Sequence, residues 1–202
     1  MKTLLIIDVQ NDFMPNGSLP VAEGDRIVPV INNIQDQFDL VLATQDWHPK
    51  DHISFASNHD GKSNFDVIEL HGQPQTLWPD HCVQGTEGAD FHPDLNTAQF
   101  EAIFRKGTDS AIDSYSAFYD NSHLKSTGLT GYLKEKGVTE LYLCGLAADI
   151  CVYFSILDAF NEGFDCTFID DASKALDNIH LDNLKQEMLT KGITIINSES
   201  LL

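Results

Sequence analysis

A chain of 202 residues with 42% hydrophobic and 21% charged residues has an ordinary globular composition and enough length to bury a sizeable core. Its formal net charge of -19 argues against nucleic acid and anionic membrane surfaces as partners, while the normal apolar content argues against disorder. The first apolar run, Leu4 to Ile7, is broken by Asp8 and is too short for a signal peptide or a membrane span. The cysteines Cys82, Cys144, Cys151 and Cys166 are therefore expected to be reduced and the protein cytoplasmic.

Taken in order, apolar runs alternate with helical patterns. Leu4 to Ile7 reads as a buried strand ending at Asp8. Ile27, Val30, Ile31, Ile34 and Phe38 have helical spacing, with Pro29 tolerable in the first turn. Leu40 to Ala43 is the second strand. An irregular region rich in His, Pro, Gly and Asp then spans about 44–98; a loop of such length is usually functional or hides an element. Ala102 to Phe104 is a short strand ending near Lys106. A helix lies around Leu129, Tyr132 and Leu133, with Gly137 as its stop. Leu141 to Cys144 is a strand, followed by a turn and a buried helix that stops at Gly163. Cys166 to Ile169 is a strand, Leu181, Leu184 and Met188 mark a helix capped by Asp177 or Asn178 and stopped by Gly192, and Ile193 to Ile196 closes the chain. Continuous apolar strands joined by helices predict an α/β fold with a parallel sheet of about six strands covered on both faces. The chain reads as a single domain, 1–202, with no repeat, low-complexity tract or linker.

The centre of this pattern is Cys144 to Val152. Gly145 and the small Ala147 and Ala148 permit a sharp turn after the strand, and Asp149 is a candidate N-cap. Cys151 would then sit in the first helical turn, where the helix terminus favours thiolate and free N–H groups could hold an oxyanion. A buried, inert cysteine fits the stretch alone equally well. In open α/β sheets, ligands bind beyond the carboxyl ends of the strands. Asp8, Asp46, Lys106 and Cys151 all follow strands, so a carboxylate, an ammonium and a thiol reach one edge. Each alone could be a cap or a solvated charge; their coincidence favours chemistry. Asp8 can take the thiol proton and pass it to a leaving amine, with Lys106 stabilising the anions around it.

Asp46 and His48 alternate on an extended segment and can share a face with His81. Two imidazoles and a carboxylate suit Zn²⁺, Fe²⁺ or Mn²⁺, although eight histidines offer many accidental trios. Phe13, Trp78 and Tyr115 fall near these residues and could line a site for a flat aromatic ligand.

These stretches together resemble the nicotinamidases of the isochorismatase-like hydrolase superfamily. The matching segments are Asp8 to Phe13, Asp46 to Pro49, His52 to Ala56, Trp78 to Gly85, Phe104 to Gly107, Asp113 to Phe118 and Cys144 to Val152. The resemblance implies a three-layer α/β/α fold with a six-stranded parallel sheet. It implies hydrolysis of nicotinamide to nicotinate and ammonia in NAD salvage, through a cysteine thioester, with pyrazinamide as a further substrate. By position, Cys151 is similar to the nucleophile, Asp8 to the proton-transfer residue and Lys106 to their charge partner. Asp46, His48 and His81 match the metal ligands, with Zn²⁺ expected, and Ala147 and Cys151 match the oxyanion-hole donors beside an expected cis peptide at Leu146–Ala147. Phe13, Trp78 and Tyr115 match the ring pocket. His52, a ligand in some relatives with a longer intervening loop, is left outside the metal shell. Another amidase of the superfamily would lack the metal trio, and a non-catalytic zinc or thiol protein would leave Asp8 and Lys106 unexplained. The expected partner is a small molecule, and assembly into a homo-oligomer stays open.

Overall fold

The computed structural model describes residues 1–202. Its main sheet contains β1 (Lys2–Ile7), β2 (Leu40–Asp46), β5 (Phe100–Lys106), β6 (Glu140–Gly145), β7 (Asp165–Ser173) and β8 (Thr194–Ile196), in the order β5-β2-β1-β6-β7-β8. All five pairings are parallel. The order runs outward in both directions from β1 and β6, so the point where it reverses lies between those two strands, where open α/β sheets form their crevice.

Strand pleating sends alternate residues to two separate cores. Leu5, Ile7, Leu40, Leu42, Leu141 and Leu143 pack against α2 (Leu129–Glu135), α3 (Tyr153–Asn161) and α4 (Asn178–Lys191). Leu4, Ile6, Val41, Ala43 and Cys144 face α1 (Ile27–Ile34) on the other side, together with Phe13, Trp78, Cys82 and Leu95 from the long loops. The sheet is thus covered on both faces, which explains its near-continuous apolar strands. No helix is long and apolar enough to cross a membrane.

Local signals set the helix ends. Asp177 accepts from the N–H groups of Ile179 and His180 at the start of α4, and Gly192, at φ 89°, ends it. The helix predicted over residues 27 to 38 is shorter: α1 stops at Ile34 and a 3₁₀ turn, Gln35–Gln37, follows. The long excursion contains a two-stranded antiparallel hairpin, β3 (Val67–Leu70) and β4 (Gln73–Thr76). Asp149 is not a helix cap. It lies within a single π turn, Ala148–Val152, that precedes α3, and its carboxylate accepts from the N–H groups of Leu176 and Asp177, each at 2.9 Å. It ties the Cys151 turn to the loop after β7.

Candidate active site

The end of β1 and the end of β6 meet closely. Gly145 has φ 124°, and a Cβ there would lie 2.0 Å from the Ile7 carbonyl oxygen. Only glycine allows this approach. Beyond it the chain turns through a cis peptide at Leu146–Ala147 into the π turn carrying Cys151, while β1 ends at Asp8. On the other flank Asp46 pairs in register with Lys106.

These placements converge on one ammonium. Lys106 Nζ is 2.9 Å from Asp8 Oδ2, 3.0 Å from Asp46 Oδ1 and 3.5 Å from Cys151 Sγ, and donates to the Ser114 carbonyl at 3.0 Å. All five residues are buried. A buried ammonium is sustained only by such partners. Burial alone would lower the Lys106 pKa, but Asp46 and Asp8 carry it well above the usual value. Asp8 is raised, because its burial outweighs Lys106. Asp46 goes the other way. Burial would raise it, but His48 and Lys106 hold it well below the ordinary carboxylate range.

Cys151 corrects one expectation. Burial pushes its thiol well above the ordinary value, Lys106 opposes this, and the carboxylates of Asp8 and Asp46 add to it. Desolvation thus favours the neutral thiol, in the opposite direction to the effect expected of a helix terminus. Activation therefore needs a base. Asp8 is suited to that task, since its carboxylate meets both the Cys151 thiol and, through Oδ2 at 2.9 Å, the Lys106 ammonium. The Ala147 N–H has no hydrogen-bond partner within the protein and is free to stabilise an anion beside the thiol.

The metal candidates form a second group. Asp46, His48 and His81 are buried and present donor atoms within 4.8 Å of one another. His48 Nδ1 lies 3.0 Å from the Gly107 carbonyl, and His81 Nδ1 lies 2.8 Å from the Pro79 carbonyl. Donation of these Nδ1–H groups leaves both Nε2 lone pairs facing Asp46 Oδ2, at 2.9 and 3.4 Å. Imidazole nitrogens directed at one carboxylate are held there by protons or by a cation, and outer carbonyls of this kind are what fix ligating imidazoles. The residues present fit a divalent metal. Gly107, at φ 63°, is needed for this arrangement, because a Cβ would lie 2.3 Å from His48 Cε1.

A second trio, His48, His52 and Asp113, is equally compact but does not fit an ion. His52 Nδ1 accepts from the Ser54 N–H at 3.2 Å, so its Nε2–H faces the Ile112 carbonyl at 3.3 Å. Asp113 accepts from the Ser114 N–H and from Gln75 Nε2. Both side chains are already used, and His52, whose pKa burial lowers to about 4, is a neutral structural imidazole.

Between the two groups lies a pocket of about 350 Å³, counting its mouth, lined by Phe13, Trp78, His81, Tyr115, Ala147 and Cys151 among others. Trp78 and Tyr115 meet edge to face, with ring centroids 6.1 Å apart. A polar reacting end and an aromatic wall are thus present in one concavity. Leu19, Ile150 and Leu176 also line it and carried no signal in the sequence. Two further residues brace the site. Gln10 accepts from the Asp46 N–H and donates to the Asp46 carbonyl, both at 2.8 Å. Asp12 accepts from the Cys82 N–H at 2.7 Å, next to His81. Both lie in the segment Asp8 to Phe13, whose polar residues recur too closely for a surface helix face.

Comparison with known proteins agrees with this arrangement. Residues 2–200 match the family model described as the isochorismatase domain. The chain is 50% identical to a nicotinamidase of Acinetobacter baylyi, over 98% of this chain and 94% of the relative. A solved nicotinamidase pyrazinamidase structure from Acinetobacter baumanii superposes with a TM-score of 0.96 at 50% identity, covering 99% of this chain and 97% of the other. A protein of L. infantum solved in complex with nicotinate has a TM-score of 0.87 at 36% identity, covering 98% and 93%. A pyrazinamidase of Pyrococcus horikoshii in complex with zinc has a TM-score of 0.80 at 36% identity, covering 96% and 98%. Sheet order, site geometry and near-complete coverage lead to one conclusion: this chain belongs to the isochorismatase family.

Proposed function

We propose that the chain is a nicotinamidase, hydrolysing nicotinamide to nicotinate and ammonia as a step of NAD salvage, and that it also accepts pyrazinamide. The observation that carries this reading is the convergence of Asp8, Lys106 and Cys151 on one aromatic-walled pocket. Relatives named nicotinamidase, and a neighbour holding nicotinate, support the choice of substrate.

The residues then take the following roles. Asp8 Oδ2 removes the proton from Cys151 Sγ as sulfur attacks the carboxamide carbon. The carbonyl oxygen takes up the negative charge and is held by the N–H groups of Ala147 and Cys151. Asp8 returns the proton to nitrogen, the C–N bond breaks, ammonia leaves and a thioester remains. Water then adds with Asp8 again as base, the C–S bond breaks, and nicotinate leaves as Cys151 regains its proton. Lys106 holds its charge throughout and steadies whichever of Asp8 and Cys151 is the anion. Phe13, Trp78 and Tyr115 would sandwich the ring. A divalent metal held by Asp46, His48 and His81 would supply an electrophilic site for the ring nitrogen, and zinc is proposed because a relative binds it, with Fe²⁺ and Mn²⁺ as alternatives.

The test is ammonia release from purified protein with nicotinamide, pyrazinamide and benzamide, beside elemental analysis of the same sample. Release from the first two and little from benzamide, which lacks the ring nitrogen, is expected. Absence of release from nicotinamide, or equal turnover of benzamide, would overturn the assignment.

A further inference from the structure

Thr44 belongs to neither group above, yet it is fully buried near the end of β2 and bonds twice to one catalytic candidate. Its hydroxyl accepts from the Asp8 N–H at 3.2 Å and donates to Asp8 Oδ1 at 2.7 Å. The two contacts have different consequences. The first fixes the backbone of Asp8, which leaves β1 with φ 50°. The second spends the only hydroxyl hydrogen on one oxygen of the carboxylate. With Oδ1 committed to Thr44, Oδ2 is the oxygen turned towards Lys106, at 2.9 Å.

We propose that Thr44 is the positioning residue that selects Asp8 Oδ2 as the base for the Cys151 thiol. The hydroxyl anchors Oδ1 and prevents the carboxylate from rotating to present both oxygens to Lys106. It also favours the ionised carboxylate, since a donor to the charged form stabilises it. The charged and titratable groups facing Asp8 are Lys106 from β5, Asp46 from the end of β2, Cys151 from the π turn and, from the long excursion, the Cys82 thiol. Lys106 favours the ionised form of Asp8, and Asp46 opposes it. Thr44 is the hydroxyl that hydrogen-bonds this carboxylate. The role rests on the amidase reading for its consequence in turnover, but the proton transfer from thiol to Asp8 can be read without any amide substrate.

The experiment compares wild type, Thr44→Val and Thr44→Ser for nicotinamide kcat and KM, metal content, melting temperature and the pH dependence of Cys151 alkylation by iodoacetamide. Valine keeps the shape and removes the hydroxyl; serine keeps the hydroxyl. Thr44→Val should lose roughly 10- to 100-fold in kcat, within the range general-base catalysis supplies, with KM and metal content unchanged. Its acid limb should move to higher pH in both turnover and alkylation, because the carboxylate has lost a donor. Thr44→Ser should restore both. Thr44→Ala removes the hydroxyl without an added methyl contact, should the valine protein fail to fold. Wild-type kcat and acid limb in the valine or alanine protein would overturn the proposal. So would parallel losses in the valine and serine proteins that track melting temperature or metal content. If the wild type released no ammonia while the alkylation contrast persisted, the nicotinamide reading would fall and the role of Thr44 would stand.

Discussion

Two regions build this site in different ways. Asp8, Asp46 and Lys106 sit at or just beyond the ends of adjacent parallel strands, where ladder hydrogen bonds fix the backbone. His48, Trp78 and His81 lie in the excursion between β2 and β5, held by isolated bridges such as His48 with Val83 and Phe55 with Trp78. The difference separates two tasks. On the proposed roles, Asp8 and Lys106 act from rigid strand ends, where small errors of geometry cost most, Asp46 belongs to both groups, and the other metal ligands lie on loops that can differ between relatives. The comparison breaks if loop changes disable the thiol or strand-end changes alter only binding.

The largest effect is expected at Cys151. Cys151→Ala should lower kcat by roughly 10⁴-fold or more while the melting temperature stays near wild type, as measured by steady-state ammonia release and thermal unfolding. Turnover within tenfold of wild type would move the nucleophile elsewhere.

Next come Lys106 and Asp8. Lys106→Met leaves two buried carboxylates without their shared cation, which should cost about 3–5 kcal/mol of stability by denaturant unfolding as well as activity. Asp8→Asn added to Lys106→Met should restore part of the stability and cost little further activity, a strong non-additivity. Equal and additive losses would show that the two do not act together. The pH profile gives an independent reading. Burial raises the Asp8 pKa, and only its carboxylate form can accept the thiol proton. Turnover should therefore fall as pH drops below that raised value, and Asp8→Asn should lack this limb.

The loop region should respond differently. His81→Ala, or removal of metal by a chelator, should lower kcat/KM for nicotinamide by roughly 100-fold through lost orientation of substrate. Discrimination against benzamide should disappear, while iodoacetamide alkylation of Cys151 changes only through Asp46, whose carboxylate also meets Lys106. Complete loss of alkylation would tie the two regions together more closely than this one shared carboxylate does.

How much of this was legible in the sequence follows the same division. A single polar residue closing an apolar run marks a strand end, and so Asp8, Lys106 and the thiol after Leu141 to Cys144 could be brought to one edge without coordinates. The hairpin of Val67–Leu70 and Gln73–Thr76 could not, because only Gln75 of its residues is buried and the second strand carries no large apolar side chain. Asp149 was misread for another reason. Its partners, Leu176 and Asp177, lie 27 and 28 residues further on, and no local pattern encodes them. The protonation state of Cys151 was also hidden. A helix terminus is visible in sequence, but the burial that favours the neutral thiol is a property of the assembled fold. Thr44 left one trace, as the polar residue that follows the apolar run Leu40 to Ala43.

The smallest effect should come from Asp149. Asp149→Ala leaves the Leu176 and Asp177 N–H groups without their acceptor and should cost about 1–3 kcal/mol in unfolding experiments. Since Leu176 lines the pocket, KM should rise with kcat little changed. A loss confined to kcat would instead place the effect on the Cys151 turn.

The central claim is that Cys151, activated by Asp8, forms the acyl intermediate. Rapid acid quench of a single turnover with nicotinamide, followed by mass spectrometry of the Cys151 peptide, tests it most directly. The account predicts a nicotinoyl thioester on Cys151 that rises and decays on the path to nicotinate in the wild type and does not form at the wild-type rate in Asp8→Asn. Nicotinate formed at the wild-type rate with Cys151 unmodified at every time point would contradict it.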